Sequence, residues 1–132
     1  MRRLAAAILL VLGATACGRG EQPSGAGDAL CSPSYAPKEL VDNGNRTTDA
    51  DAIKKVAAAA CSLPAPPRDV ACTLELGPTY ELRFVDAGGR TTTLTAESYG
   101  CQFVEGLGSR RFDARPLWDA LIAAGLPAPD RR

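Results

Sequence analysis

The stretch TYELRFVDAGGRTTTLTAES, residues 79–98, decides the fold. Side chains alternate across a β-strand with period two, so Tyr80, Leu82 and Phe84 share one face while Glu81, Arg83 and Val85 share the other. Ala87-Gly88-Gly89-Arg90 is a turn, glycine supplying a backbone conformation that other residues resist. The threonine-rich return, with Leu94 and Ala96 on one face, has the β-branched composition of a strand. An antiparallel hairpin follows.

Reading outward on the C-terminal side, YGCQFVEG (99–106) predicts a further strand with Gly100 as a bulge, and GLGSR a turn. A helix comes next: Asp113 is the expected cap, Pro116 is tolerated in the first turn, and Leu117, Trp118, Leu121 and Ile122 form the apolar face. Gly125 and Pro127 end it. On the N-terminal side, LPAPPRD is an extended connector. Before it, Thr48 is the expected cap of a helix whose Ile53, Val56, Ala57 and Ala60 recur at i, i+3, i+4 and i+7. Its alanines permit close approach to a sheet, and Pro64 stops it. Earlier still, Leu40 and Val41 predict a short strand before an Asp42-Asn43-Gly44-Asn45 turn. The fold expected is α+β: a small antiparallel sheet of about three to five strands, covered on one face by two helices and braced by two disulfides.

The N-terminus is a separate unit. Arg2 and Arg3 precede an uncharged apolar run, Leu4 to Leu12, and four small residues, Gly13 to Ala16: the plan of a bacterial export signal. The run is shorter than the roughly 20 residues that cross a bilayer. Ala14-Thr15-Ala16 suits ordinary signal peptidase, and Ala14 to Cys17 also resembles the lipobox of bacterial lipoproteins. That resemblance implies a diacylglyceryl group on the Cys17 thiol and cleavage before it, although Ala14 stands where the family favours leucine. Multiple acyl chains anchor stably, each buried methylene contributing roughly 0.8 kcal/mol. The expected organisation is a lipoprotein signal peptide (1–16), a lipidated Cys17 with a flexible tether (17–30), one domain (31–126) and a loose tail (127–132).

The chain has five cysteines, Cys17, Cys31, Cys61, Cys72 and Cys101. An odd thiol in an exported chain needs an explanation, and lipid on Cys17 leaves an even four. Their spacings of 30, 11 and 29 contain no C-x-x-C pair, so disulfides fit an exported protein better than zinc. Four cysteines allow three pairings. Cys31–Cys61 ties the proline-rich entry segment to the first helix, and Cys72–Cys101 closes a loop worth roughly 3–4 kcal/mol of chain entropy. Simple hairpin register sets Cys101 opposite about residue 76, so Gly77-Pro78 must supply an offset.

Composition narrows the chemistry. The chain holds no histidine, which excludes serine and cysteine triads built on it, and His-ligated zinc, haem or copper. No cofactor and no metal are expected. Without Arg2 and Arg3 the 15 basic residues become 13 against 15 acidic, a mature net charge of −2. No basic patch points to nucleic acid. Glu81 and Glu97 lie on paired strands near Arg83, but on a sheet's solvent face such residues ordinarily solubilise it. Trp118 reads as core. Lys38, Lys54 and Lys55 stand in polar settings, poor for a Ser–Lys pair. No catalysis is expected.

Two resemblances bear on function. From residue 63 to 106, the proline-rich lead, a cysteine, the ELRF strand, a glycine turn and GC resemble a group of lipoproteins of high-GC Gram-positive bacteria with no assigned activity. This implies the fold and the compartment only, a lipid-anchored extracytoplasmic domain at the cell membrane. The function expected of such a domain is non-catalytic binding or the bracing of an envelope assembly through a protein partner, with protease inhibition as the alternative. CTLELGP, Cys72 to Pro78, is similar to the reactive loop of the bacterial subtilisin-inhibitor family, in which a cysteine precedes the scissile bond by two residues, a proline follows, and a cysteine about 30 residues on closes a disulfide. Carried over, Leu74-Glu75 is the reactive bond and Cys101 the partner of Cys72. That family has N-terminal strands not evident here and ends in a strand rather than a helix. The plainer reading of Cys72 to Leu76 is an edge strand.

Overall fold

The computed structural model describes residues 26–130; the expected export signal and Cys17 lie outside them. The chain runs α1 (Ala26–Cys31), β1 (Pro37–Asp42), β2 (Asn45–Thr47), α2 (Ala50–Cys61), β3 (Thr79–Asp86), β4 (Thr91–Glu97), β5 (Val104–Glu105) and α3 (Arg115–Ala123). The five strands form one antiparallel sheet in the order β2-β1-β3-β4-β5. The α+β architecture and both disulfides, Cys31–Cys61 and Cys72–Cys101, are as expected.

The central hairpin has the register its alternation implies, from Thr79 opposite Glu97 to Val85 opposite Thr91. Leu82, Phe84, Leu94 and Ala96 are buried, while Glu81, Arg83, Thr93 and Thr95 are exposed on the other face. The Asp86 carboxylate organises the turn by accepting from the Gly88 and Arg90 amides and from Arg90 Nε. Onto the buried face pack Ile53, Val56 and Ala60 of α2 and Leu117 and Leu121 of α3, in one core cluster. At roughly 1.5–3 kcal/mol per fully buried large aliphatic side chain, this layer contact is the main stabilising term.

Several local expectations need correction. The strand over Leu40 and Val41 is a full six-residue element paired with both β2 and β3. Its hairpin turns through Asn43 and Gly44 at φ +46° and +86°, the paired positive φ values of a type I′ turn. The α2 cap is Asp49 rather than Thr48, its carboxylate accepting from the Ala52 amide at 2.9 Å. The α3 cap is Ala114, with no side-chain bond. Asp113 instead pairs with Arg115, whose hydrogen bond holds the Asp113 carboxyl below its usual range against the opposing effect of burial. Of the predicted apolar face of α3, Ile122 is exposed. Around YGCQFVEG only Val104–Glu105 is strand; Gly100 and Gln102 have φ of +58° and +50° and turn the chain away.

The domain also extends past both predicted ends. Residues 26–31 form a helix that buries Leu30, so the tether does not reach residue 30. Ala128 packs against the core, so the tail is not loose throughout.

One buried residue opposes the rest. Asp42 ends β1 on the helix-covered face, fully buried, with neither carboxylate oxygen hydrogen-bonded. Burial raises its pKa from 3.8 to about 6. Tyr80, two residues along β3 from Asp42's neighbour Leu82, is raised as well, by burial and then by the Asp42 and Asp130 charges. The folded state therefore binds the Asp42 proton more tightly than the unfolded state, and stability falls as pH rises from about 4 to about 6. Asp42→Asn removes this dependence. Between pH 4 and pH 7, urea unfolding should show the stability difference shifting toward the Asp42→Asn protein by about 2–3 kcal/mol.

Candidate functional site: the 72–78 loop

Upstream of β3, the connector is hydrogen-bonded to the body at Leu63 and Pro64. Arg111 Nη1 donates to the Leu63 carbonyl, and the Phe112 amide to that of Pro64. Pro64, Pro66 and Pro67 offer no N–H and hold the chain extended. After a turn at residues 68–69 it reaches Cys72.

The β3–β4 ladder stops at Thr79 opposite Glu97 for two reasons. Pro78 has no amide to donate. Across from it the chain leaves the sheet plane in a turn closed by the Gln102 amide on the Tyr99 carbonyl. That turn brings Cys101 beside Cys72, with Cα atoms 4.9 Å apart, and so supplies the offset simple register lacks.

Residues 73–77 thus span two fixed points. At the upstream end are the disulfide and the backbone of Gly100, where an added Cβ would lie 3.4 Å from the Thr73 carbonyl oxygen. At the downstream end the Pro78 carbonyl accepts from both the Ser98 amide (3.2 Å) and the Ser98 hydroxyl (2.7 Å). Gly77 lies so close to Ser98 and Tyr99 that a Cβ there would fall 3.1 Å from each. Between these anchors the chain runs without turn or bend, without a cis peptide and without positive φ. Among the described residues no backbone hydrogen bond engages Thr73 to Gly77. The edge-strand reading of Cys72 to Leu76 is therefore overturned: the segment is extended but belongs to no sheet.

The side chains complete the picture. Leu74 is 99% and Leu76 94% exposed, the two most exposed large hydrophobic residues described. A lone exposed leucine is unremarkable, but two on a loop braced at both ends make this segment the candidate contact surface. Glu75 instead borders a concavity of about 710 Å³ shared with Ser98, Gln102, Trp118, Asp113 and Arg115. Trp118 is core, 4% exposed, as expected; its Nε1 donates to Gln102 Oε1 at 3.0 Å and its ring makes a tilted contact with Tyr80, centroids 5.2 Å apart. Sequence reasoning did not identify Leu76, Ser98, Tyr99 or Gly100 as parts of the site. The only available signal was Leu76, an apolar residue two positions after Leu74.

The other candidates are not brought together. Glu81 and Glu97 lie diagonally across β3 and β4 on the open face, and Arg83 reaches Glu81 at 3.7 Å. Lys38, Lys54 and Lys55 are exposed. No group of three or more metal-ligating side chains occurs among the described residues.

No protein-family model matches the chain, and neither a curated protein nor a solved structure matches it.

Replacing Cys72 and Cys101 together by serine should cost roughly 3–4 kcal/mol in urea unfolding. It should also free the upstream end of the loop. Limited proteolysis read by mass spectrometry should then show cleavage after Leu74 or Leu76 at least tenfold faster than in the parent protein.

Proposed function

We propose that the chain is an exported, non-catalytic binding domain, anchored through lipid on Cys17 to the outer face of the cell membrane, and that its 72–78 loop inhibits a subtilisin-type serine protease with Leu74-Glu75 as the reactive bond. The observation that carries this reading is Leu74, wholly exposed on an extended loop held at both ends. A protease binds substrate as an extended strand, pairing its own backbone with the substrate's. Residues 73–77 offer that geometry with their amides and carbonyls uncommitted, and an apolar pocket suits Leu74. A loop already extended loses little conformational entropy on binding, so affinity rises without new contacts. Were the Leu74–Glu75 bond cut, Cys72 and Pro78 would keep the two new ends beside each other. That slows release and favours rejoining over departure.

The compartment is supported by the cysteines. Two structural disulfides fit an oxidising environment, and Cys17 is the odd residue left for lipid. The broader reading, an envelope accessory domain with another protein partner, uses the same loop as its contact.

Titration against subtilisin tests the proposal. Activity should fall linearly to zero near one equivalent, and Leu74→Asp or Leu74→Pro should abolish inhibition with little change in melting temperature. An absence of inhibition by the parent protein would return the loop to the envelope reading, and in-cell cross-linking would then identify the partner. For the anchor, Cys17→Ser should move the protein from the membrane to the soluble fraction, and intact-mass spectrometry should lose the acyl mass.

A further inference from the structure

Resting on the inhibitor reading, we propose that Leu76 is a second specificity-determining anchor, and that the partner enzyme presents two apolar subsites: one for Leu74 before the reactive bond and one for Leu76, the second residue after it. In an extended segment, residues two apart point to the same side. Leu74 is 99% and Leu76 94% exposed, and Glu75 between them borders the concavity shared with Ser98 and Trp118. A loop built around a single anchor has no need of a large apolar residue beyond the bond. Exposing Leu76 to water is unfavourable in the free protein, and covering it on binding removes that penalty.

Neighbouring residues fix where Leu76 stands. Gly77 seats against Ser98 and Tyr99, and the next carbonyl is held twice by Ser98. Leu76 is thus the last residue before the downstream anchor and has little freedom to fold back. The residue between the two leucines is acidic and borders a polar wall containing Asp113 and Arg115. The partner thus meets an apolar–acidic–apolar triplet, its two leucines on the side opposite the Glu75 carboxylate. This selects enzymes whose cleft continues as an apolar pocket on the leaving-group side, and disfavours those with a charged or closed pocket there.

Inhibition constants against subtilisin for the parent chain, Leu76→Ala, Leu76→Lys, Leu76→Phe and Leu74→Asp test this, with melting temperature measured in parallel. Losing the burial of one leucine should weaken binding about tenfold to a hundredfold for Leu76→Ala. Leu76→Lys should weaken it further, Leu76→Phe should stay within a few-fold of the parent, and the melting temperature should not move. Inhibition constants within twofold of the parent for Leu76→Ala and Leu76→Lys, with Leu74→Asp inactive, would overturn the inference and leave the inhibitor reading standing. If the parent chain does not inhibit at all, both fall. Sedimentation of the parent and Leu76→Lys proteins, and their flotation with anionic vesicles, cover the other occupants. Self-association or vesicle binding lost on Leu76→Lys, in a protein whose inhibition is unaffected, would assign Leu76 to a second copy or to the bilayer and overturn the inference.

Discussion

The short closed path from Cys72 through Pro78, across to Ser98 and back through Cys101, is the constraint on which the exposed 73–77 segment depends. One side is a disulfide, the other a carbonyl held by two donors of one serine, and Gly77 packs against Tyr99 between them. Neither anchor alone would keep residues 73–77 extended. A free end would let the leucines collapse onto apolar surface, because burying a leucine is worth more than most single hydrogen bonds. Held at both ends, the segment cannot reach the core, and its two apolar side chains remain in solvent.

The rest of the domain makes that constraint rigid. β3 and β4 place Pro78 and Ser98 side by side, and the helices covering one face hold the hairpin in position. The core is small and built largely on leucine and alanine, so the second disulfide, Cys31–Cys61, matters at the opposite end, where it ties α1 to α2. Asp42 runs against this economy. A carboxyl with no hydrogen-bond partner among the described residues, in the helix-facing layer, weakens the fold near neutral pH.

Much of the fold was legible because it rests on local periodicity. Alternation from Tyr80 to Val85 and the i, i+3, i+4, i+7 spacing from Ile53 to Ala60 each report burial directly, and the structure buries those faces. Caps were less legible. Thr48 and Asp49 are both good capping residues, and only the chain path decides between them; Asp113 was drawn off by Arg115. The expected strand over residues 99–106 failed because Gly100 and Gln102 adopt positive φ, which alternation does not reveal. In the loop, Cys72, Leu74 and Pro78 were legible from their spacing, whereas Ser98 and Tyr99 support it from 20 or more residues away, through contacts a linear reading does not contain.

The amino-acid sequence by itself determined the α+β class, the hairpin register and the even set of four cysteines, because each follows from short-range pattern or simple counting. Tertiary structure alone decided that the 72–78 segment leaves the sheet, that Cys101 meets Cys72 despite a mismatched register, and that both leucines face water. Those outcomes depend on where the ladder ends and how the opposite chain turns away from it, a relation between residues far apart in sequence that no local preference encodes.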